Sequence, residues 1–289
     1  MNSVAITDAT CRRLRPAFGT FVSVLCRAGD RATADRSVER AFVSFSTVQR
    51  LMHPTSGVDV AAIHSTPVGQ AISVHRWTWQ LLVLCARVNE ISEGRFDPCL
   101  PEGGGHMTDI GLPEPQIVVL RERVALDLGG IAKGFAVDRA IDLLRAAGCN
   151  AGEVNAGGDM RVFGPAMPIW VRTQRATWPV VLRDQACAVT DPVSRDPPRE
   201  HRGYYSRVSA GYDPAAIETP AIVLASNAAI ADALTKCVLL CVRERALLQR
   251  ILREFAAASV EFPCADDPLH QFEMRANRTA EANGHGSMR

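Results

Sequence analysis

At 289 residues and 47% hydrophobic content, the chain is long enough to bury one large core or two modest ones without disulfide or metal staples. A net charge of +1, with 32 basic residues scattered among 31 acids, excludes the basic field that nucleic-acid binding requires. No leader-like apolar core opens the sequence, no stretch reads as a membrane span, and nine cysteines without a C-x-x-C pair argue against a disulfide framework or a zinc ribbon, so a cytoplasmic protein with reduced thiols is expected.

In chain order, Pro16 to Cys26 alternates around Gly19 as a strand would. Asp30 then caps a helix with Val38, Ala41, Phe42, Phe45, Val48 and Met52 on one face. Asp59 to Ser65 reads as a short helix and Ala71 to Val74 as a strand; Trp77, Leu81, Leu84, Cys85, Val88 and Ile91 mark a further helix that stops at Gly94. Arg95-Phe96-Asp97-Pro98 is a proline-fixed turn. Cys99 and His106 bracket a glycine run, and two potential ligands do not make a metal site.

Ile117 to Leu128 reads as two short strands joined at Arg121-Glu122-Arg123. The second, Val124 to Leu128, runs into Gly129-Gly130 and a helix over Lys133 to Ala147 that Gly148 ends. A strand, a side-chain-free turn and a helix N-terminus leave backbone N–H groups free for an anion such as phosphate, with Asp127 and Lys133 flanking the turn. The glycines fit neither a P-loop nor G-x-G-x-x-G. Asn155-Ala156-Gly157-Gly158-Asp159 is a second polar turn, ahead of a strand over Met160 to Phe163. Strands are expected at Ile169 to Thr173, Trp178 to Arg183 and Ala186 to Thr190, a meander packed with the earlier helices. Asp191 to Pro220 reads as a long loop. Ala221 to Ala225 is a strand, Ser226 or Asn227 caps a helix carrying Asp232, Thr235 and Lys236 within one turn, and Arg243 to Ala257 is a last core helix. Helices interleave with runs of strands without a βαβ period, which gives an α+β class, as one domain or two similar halves.

Lysine usage singles out two positions. Of the 32 basic residues only Lys133 and Lys236 are lysine. A compact ammonium differs from a planar guanidinium, so these are candidate sites where a point charge is wanted.

DLGGIAKGFAVDRA from Asp127, NAGGDMRV from Asn155, GRFDP at Gly94 to Pro98, FGTFVSV at Phe18 to Val24 and ADALTK at Ala231 to Lys236 together resemble the ApbE family of FAD:protein FMN transferases. The resemblance runs from about Pro16 to Phe262. It implies an α+β domain of mixed sheets with packed helices, ApbE-like (T-fold-like), over residues 16–262, with an N-terminal extension over 1–15 and a C-terminal tail over 263–289. The implied reaction cleaves the FAD pyrophosphate and transfers FMN to a Thr or Ser hydroxyl of an acceptor protein, releasing AMP.

By the same resemblance, Phe18, Arg95, Phe96, Asp97, Asp127 and Lys133 bind the flavin nucleotide, and Mg2+ is held by Asp232 and the Gly130 carbonyl; Thr235 is a further candidate metal ligand beside them, and Asp232 and Lys236 are the catalytic candidates. This chain departs from the pattern in four places. Phe18 stands where the family has methionine, and Glu102-Gly-Gly-Gly-His106 replaces a longer aromatic loop. The family's His-Ile-Ile-Asp-Pro-Arg-Thr-Gly motif leaves only an Asp-Pro, at Asp191-Pro192 or Asp213-Pro214, and Lys236 occupies the position of a metal-binding threonine. Either the ammonium stands in for part of the cation's charge, or Thr235 and water complete the metal's shell. Two alternatives therefore stay open beside the transferase: an Mg-dependent FAD pyrophosphatase yielding FMN and AMP, and a flavin-binding protein without turnover.

Overall fold

The computed structural model describes residues 8–173, 177–191 and 220–260. The expected loop over 191–220 lies almost wholly outside these residues, as does the tail over 263–289. Ala9–Ala17 (β1) and Thr20–Ala28 (β2) form an antiparallel hairpin in which Pro16 faces Phe21. A single strand was expected from Pro16 to Cys26; the chain instead reverses at Phe18 and Gly19, whose φ values of 53° and 67° make the two-residue mirror-image turn that suits strand twist. Residues 9–15, assigned from sequence to an extension, are thus part of the sheet.

Helix α1 (Arg31–Met52) follows, with the Asp30 side chain accepting the Thr33 N–H at 2.8 Å. Next come α2 (Val58–Ser65), β3 (Ala71–Ser73) and α3 (Arg76–Ile91), then β4 (Ile110–Gly111) and β5 (Ile117–Leu120), which join β3 in a three-stranded sheet of order β3-β5-β4. The strand expected over Val124 to Leu128 is reduced to one antiparallel bridge, Leu126 to Cys99, with Asp127 N–H donating to the Pro98 carbonyl at 2.8 Å. Its partner segment lies between Pro98 and Pro101, which have no N–H to extend a ladder. His64 of α2 steadies the segment by accepting the Leu126 N–H at Nε2, at 2.8 Å.

Helix α4 (Ala132–Ala146) leads into β6 (Ala151–Ala156), β7 (Asp159–Phe163), β8 (Met167–Arg172), β9 (Thr177–Leu182) and β10 (Ala186–Thr190). After them come β11 (Ala221–Ala225), α5 (Ala228–Leu240), α6 (Arg245–Glu254) and β12 (Ala258–Ser259). The last helix is therefore shorter than the Arg243–Ala257 span expected. Among the described residues the main sheet has seven antiparallel strands in the order β1-β2-β6-β7-β10-β11-β12.

Alternation along these strands sorts the two faces. Val22, Val24, Cys26, Val154, Ala156, Phe163, Ala186, Ala188, Val223 and Ala225 belong to the large core, in which α4 packs between α1 and α5. Met160, Val162, Cys187 and Ile222 point the other way and form a second core with Ile169, Val171, Val180 and Leu182 of the β8-β9 hairpin. The expectation that all the strands after Gly164 form one meander against the helices is thus corrected: β8 and β9 are a separate hairpin on the far face, and β10 alone of the three enters the main sheet. Mixed helices and antiparallel sheets bear out the α+β class. Among the described residues no helix is long and apolar enough to cross a membrane.

Candidate functional site

The site is built where α4 and α5 cross beside β7 and β10. The helices approach closely at Gly134: a Cβ there would lie 2.3 Å from the Ala228 carbonyl oxygen, so only glycine admits this crossing. Each helix then supplies a carboxylate to the other's N-terminus. Asp138 of α4 accepts the N–H groups of Ala228 and Ala229, both at 2.9 Å, while Asp232 Oδ2 of α5 accepts the Gly134 N–H at 3.2 Å. These donors are among the N–H groups a helix start leaves without intrahelical partners. Asp138 is buried and pairs with Arg161 at 2.8 Å; burial pushes its carboxyl up, against the pull of that guanidinium.

Two ammonium–carboxylate pairs lie at this junction. Lys133 Nζ stands 3.0 Å from Asp159 Oδ2, an ion pair whose angles fall outside those of a hydrogen bond. Lys236 Nζ contacts Asp232 Oδ1 closely and also donates to the Asp232 carbonyl at 3.0 Å. The pairs feel each other. Burial raises the Asp159 carboxyl, and the neighbouring Asp232 charge raises it further, against Lys133 and Lys236, which pull it down. The Lys133 ammonium is held above its ordinary value chiefly by Asp159, with Asp232 contributing.

Thr235 Oγ1 donates to the Asp232 carbonyl at 2.7 Å and lies 2.7 Å from Thr190 Oγ1 of β10. Lys133 is thus brought to Asp232, Thr235 and Lys236, about a hundred positions away in sequence, with Asp159 and Thr190 as partners outside the candidates named from sequence. Asp159 had a signal: it closes the Asn155-Ala156-Gly157-Gly158 turn and starts a strand on whose helix-facing side Arg161 also lies. Asp138 had one too, since it interrupts the apolar stripe of Phe135 and Ile141.

The remaining candidates lie in other settings. Asp127 Oδ1 accepts the Gly129 N–H at 2.7 Å, and the Ile131 and Ala132 N–H groups go to the Leu128 carbonyl. The open amide cradle expected at Gly129-Gly130 is therefore partly closed by the chain itself; Gly130 is buried at this turn. Asp97 is buried: Oδ1 accepts from Cys99 N–H at 2.9 Å and Met107 N–H at 3.1 Å, and Oδ2 is 3.0 Å from His106 Nδ1. It folds the glycine-rich loop back on the turn. Phe96 is a core residue at 1% exposure, and Arg95 Nη2 donates to both Glu244 carboxylate oxygens at 2.8 Å. Phe18 sets its ring edge-on to Phe45, with centroids 6.1 Å apart.

The implied magnesium does not fit this donor set. Both Asp232 carboxylate oxygens and its carbonyl already accept from the chain, the Thr235 hydroxyl is doubly engaged, and an ammonium stands against Asp232. Among the described residues no group of three or more His, Cys, Asp or Glu side chains is placed to hold a metal ion.

The ApbE family model matches residues 105–257, more than half of the chain and the part that contains this junction. No curated protein sequence matches. Among solved structures, the fold is similar to the apo flavinyl transferase ApbE of Pseudomonas stutzeri, with a TM-score of 0.66 and 19% identity over 81% of this chain and 84% of that one. It is similar also to the ApbE protein of Thermotoga maritima, with a TM-score of 0.69 and 20% identity over 87% and 96% of the two chains. The flavin transferase ApbE of Vibrio cholerae matches with a TM-score of 0.64 and 15% identity over 88% and 93%. At such identities the likeness speaks for the fold.

Proposed function

The chain belongs to the ApbE family, and on that premise we propose that it is an FAD:protein FMN transferase. The observation that carries this reading is the junction of α4 and α5, where the only two lysines of the chain are gathered, each beside a buried aspartate. In a sequence that otherwise uses arginine, two ammonium groups held within one site suit the compact charges of a pyrophosphate.

In the proposed reaction the hydroxyl oxygen of an acceptor Thr or Ser attacks the phosphorus on the FMN side of the pyrophosphate. That phosphorus–oxygen bond forms as the bond to the bridging oxygen breaks, AMP leaves with the bridging oxygen, and the hydroxyl proton is released. Such a transfer asks of a protein mainly positioning and stabilisation of developing charge. Lys133 and Lys236 neutralise negative charge on the phosphate oxygens. Asp159 and Asp232 fix where those ammonium groups stand, and Asp232 ties its lysine to the start of α4. Phe18, Arg95, Phe96, Asp97 and Asp127 shape the surrounding turns that receive the flavin nucleotide; for Asp97 and Asp127 this is by organising backbone.

FAD and a Thr- or Ser-bearing acceptor protein are the partners in this reading. Magnesium, implied by the family resemblance, enters no step, because the donor set does not fit it. Water replacing the acceptor would make the protein an FAD pyrophosphatase, a second reading favoured by the departure from the His-Ile-Ile-Asp-Pro-Arg-Thr-Gly motif. The test is mass-spectrometric detection of FMN on Ser/Thr peptides together with chromatographic detection of AMP. AMP with free FMN and no adduct favours the second reading; FAD bound without AMP or adduct refutes both.

A further inference from the structure

We infer that Lys236 is a tethered cation, standing in for a divalent metal at Asp232, so that this protein binds the pyrophosphate of a dinucleotide without magnesium. The inference rests on the site being the one that takes FAD.

Three observations and one rule of metal coordination meet in it. Asp232 is almost fully buried, at 2% exposure, and its three oxygens accept from Lys236, Gly134 and Thr235, so a metal would have to displace bonds already made. Lys236 lies one helical turn beyond Asp232 with a side chain 11% exposed, and two contacts to the same residue fix its ammonium. Magnesium demands about six oxygens in near-octahedral array, whereas an ammonium has three protons and no lone pair to offer it. Finally, Lys133 with Asp159 and Lys236 with Asp232 already balance, so a 2+ ion set against Asp232 would meet the repulsion of the Lys236 ammonium in a poorly solvated site. An ammonium also fits the role better than a guanidinium, whose planar fork cannot take the place of a small ion.

The chemistry follows from charge. Two of the three ammonium protons face Asp232 oxygens. A phosphate oxygen arriving at the third gains a charge-assisted hydrogen bond without any metal having to be recruited first.

Two measurements on the full chain test this. In the first, FAD affinity is read by fluorescence titration in EDTA and in excess magnesium, for the wild type, Lys236→Thr and Lys236→Met, each checked for a native circular-dichroism spectrum. The wild type should bind equally in both buffers; Lys236→Thr should bind about tenfold more weakly in EDTA and recover with magnesium; and Lys236→Met should stay weak in both. A wild-type affinity that rises about tenfold with magnesium overturns the inference.

The second measurement uses Mn2+ alone, with bound ion counted by electron paramagnetic resonance in the absence of nucleotide. Lys236→Thr should take up Mn2+ more tightly than the wild type; equal uptake at this site by both proteins overturns the inference. If the wild type binds no FAD in either buffer, the flavin reading fails, and the Mn2+ comparison alone upholds or overturns the cation role of Lys236.

Discussion

Asp138 and Asp232 cap each other's helices. The first accepts the Ala228 and Ala229 N–H groups at the start of α5, and the second accepts the Gly134 N–H at the start of α4. This exchange brings Lys133, one residue before Gly134, within electrostatic reach of Asp232, against which Lys236 stands one turn further on. Asp138→Ala leaves the Ala228 and Ala229 N–H groups and the half-buried Arg161 guanidinium without their carboxylate, with only the Asn227 cap remaining on α5, so it should cost about 3–5 kcal/mol of folding stability. Denaturant titration measures this; a loss below about 1 kcal/mol would show that the caps are dispensable.

Gly134 sets the helix spacing. A methyl there would sit 2.3 Å from the Ala228 carbonyl oxygen, so α5 must move away. Gly134→Ala should cost about 1–3 kcal/mol, within the range for overpacking. It should also weaken FAD binding, because Asp232 and Lys236 move with α5. Full stability with lost binding would mean that the helices adapt without strain.

The pH dependence of stability should bear the mark of Asp159. Burial and the Asp232 charge raise its carboxyl, to about 6, so the folded protein holds a proton there that the unfolded chain has released. The favourable contribution is complete below the ordinary aspartate range and is lost as pH rises towards 6. Relative to the wild type, Asp159→Asn should remove this downward slope between pH 4 and about 6, measured as the difference in urea midpoint across that window. Parallel profiles for the two proteins would contradict it.

Arg95 tests the division between flavin contacts and scaffold. Its pair with Glu244, made by one guanidinium nitrogen to both carboxylate oxygens, is partly exposed, with the side chains 27% and 41% accessible, and should contribute about 0.5–1 kcal/mol in a double-mutant cycle of Arg95→Ala and Glu244→Ala. A zero coupling energy, with FAD affinity lost in Arg95→Ala alone, would instead make Arg95 a ligand contact.

Much of this fold could be read from local chemistry. Asp30, Asn227 and Gly148 mark helix ends in the sequence and do so in the structure, and Ala186–Thr190 and Ala221–Ala225 form the strands expected of them. β1 escaped because its arginines at 12, 13 and 15 hide the alternation, and its hairpin with the following strand becomes visible only once Phe18, an unusual residue for positive φ, is known to turn. The far-face position of β8-β9 is a tertiary choice that no period reveals. For the site, the two lysines and Asp232 stood out as residue types, but the pairing of Lys133 with Asp159 and the blocking of Asp232 by Lys236 depend on how two helices cross. An acid in an apolar stripe, as at Asp138, signals burial without naming its partner.

The most direct test of the account is to incubate the purified protein with FAD and a pool of Ser/Thr peptides in EDTA, quantifying AMP by chromatography and FMN-bearing peptide by mass spectrometry. AMP and FMN-peptide should form in equal amounts, with both reduced in the Lys236→Met variant. FAD that binds yet yields neither product, in EDTA or with magnesium restored, would contradict the assignment of FMN transfer to this site.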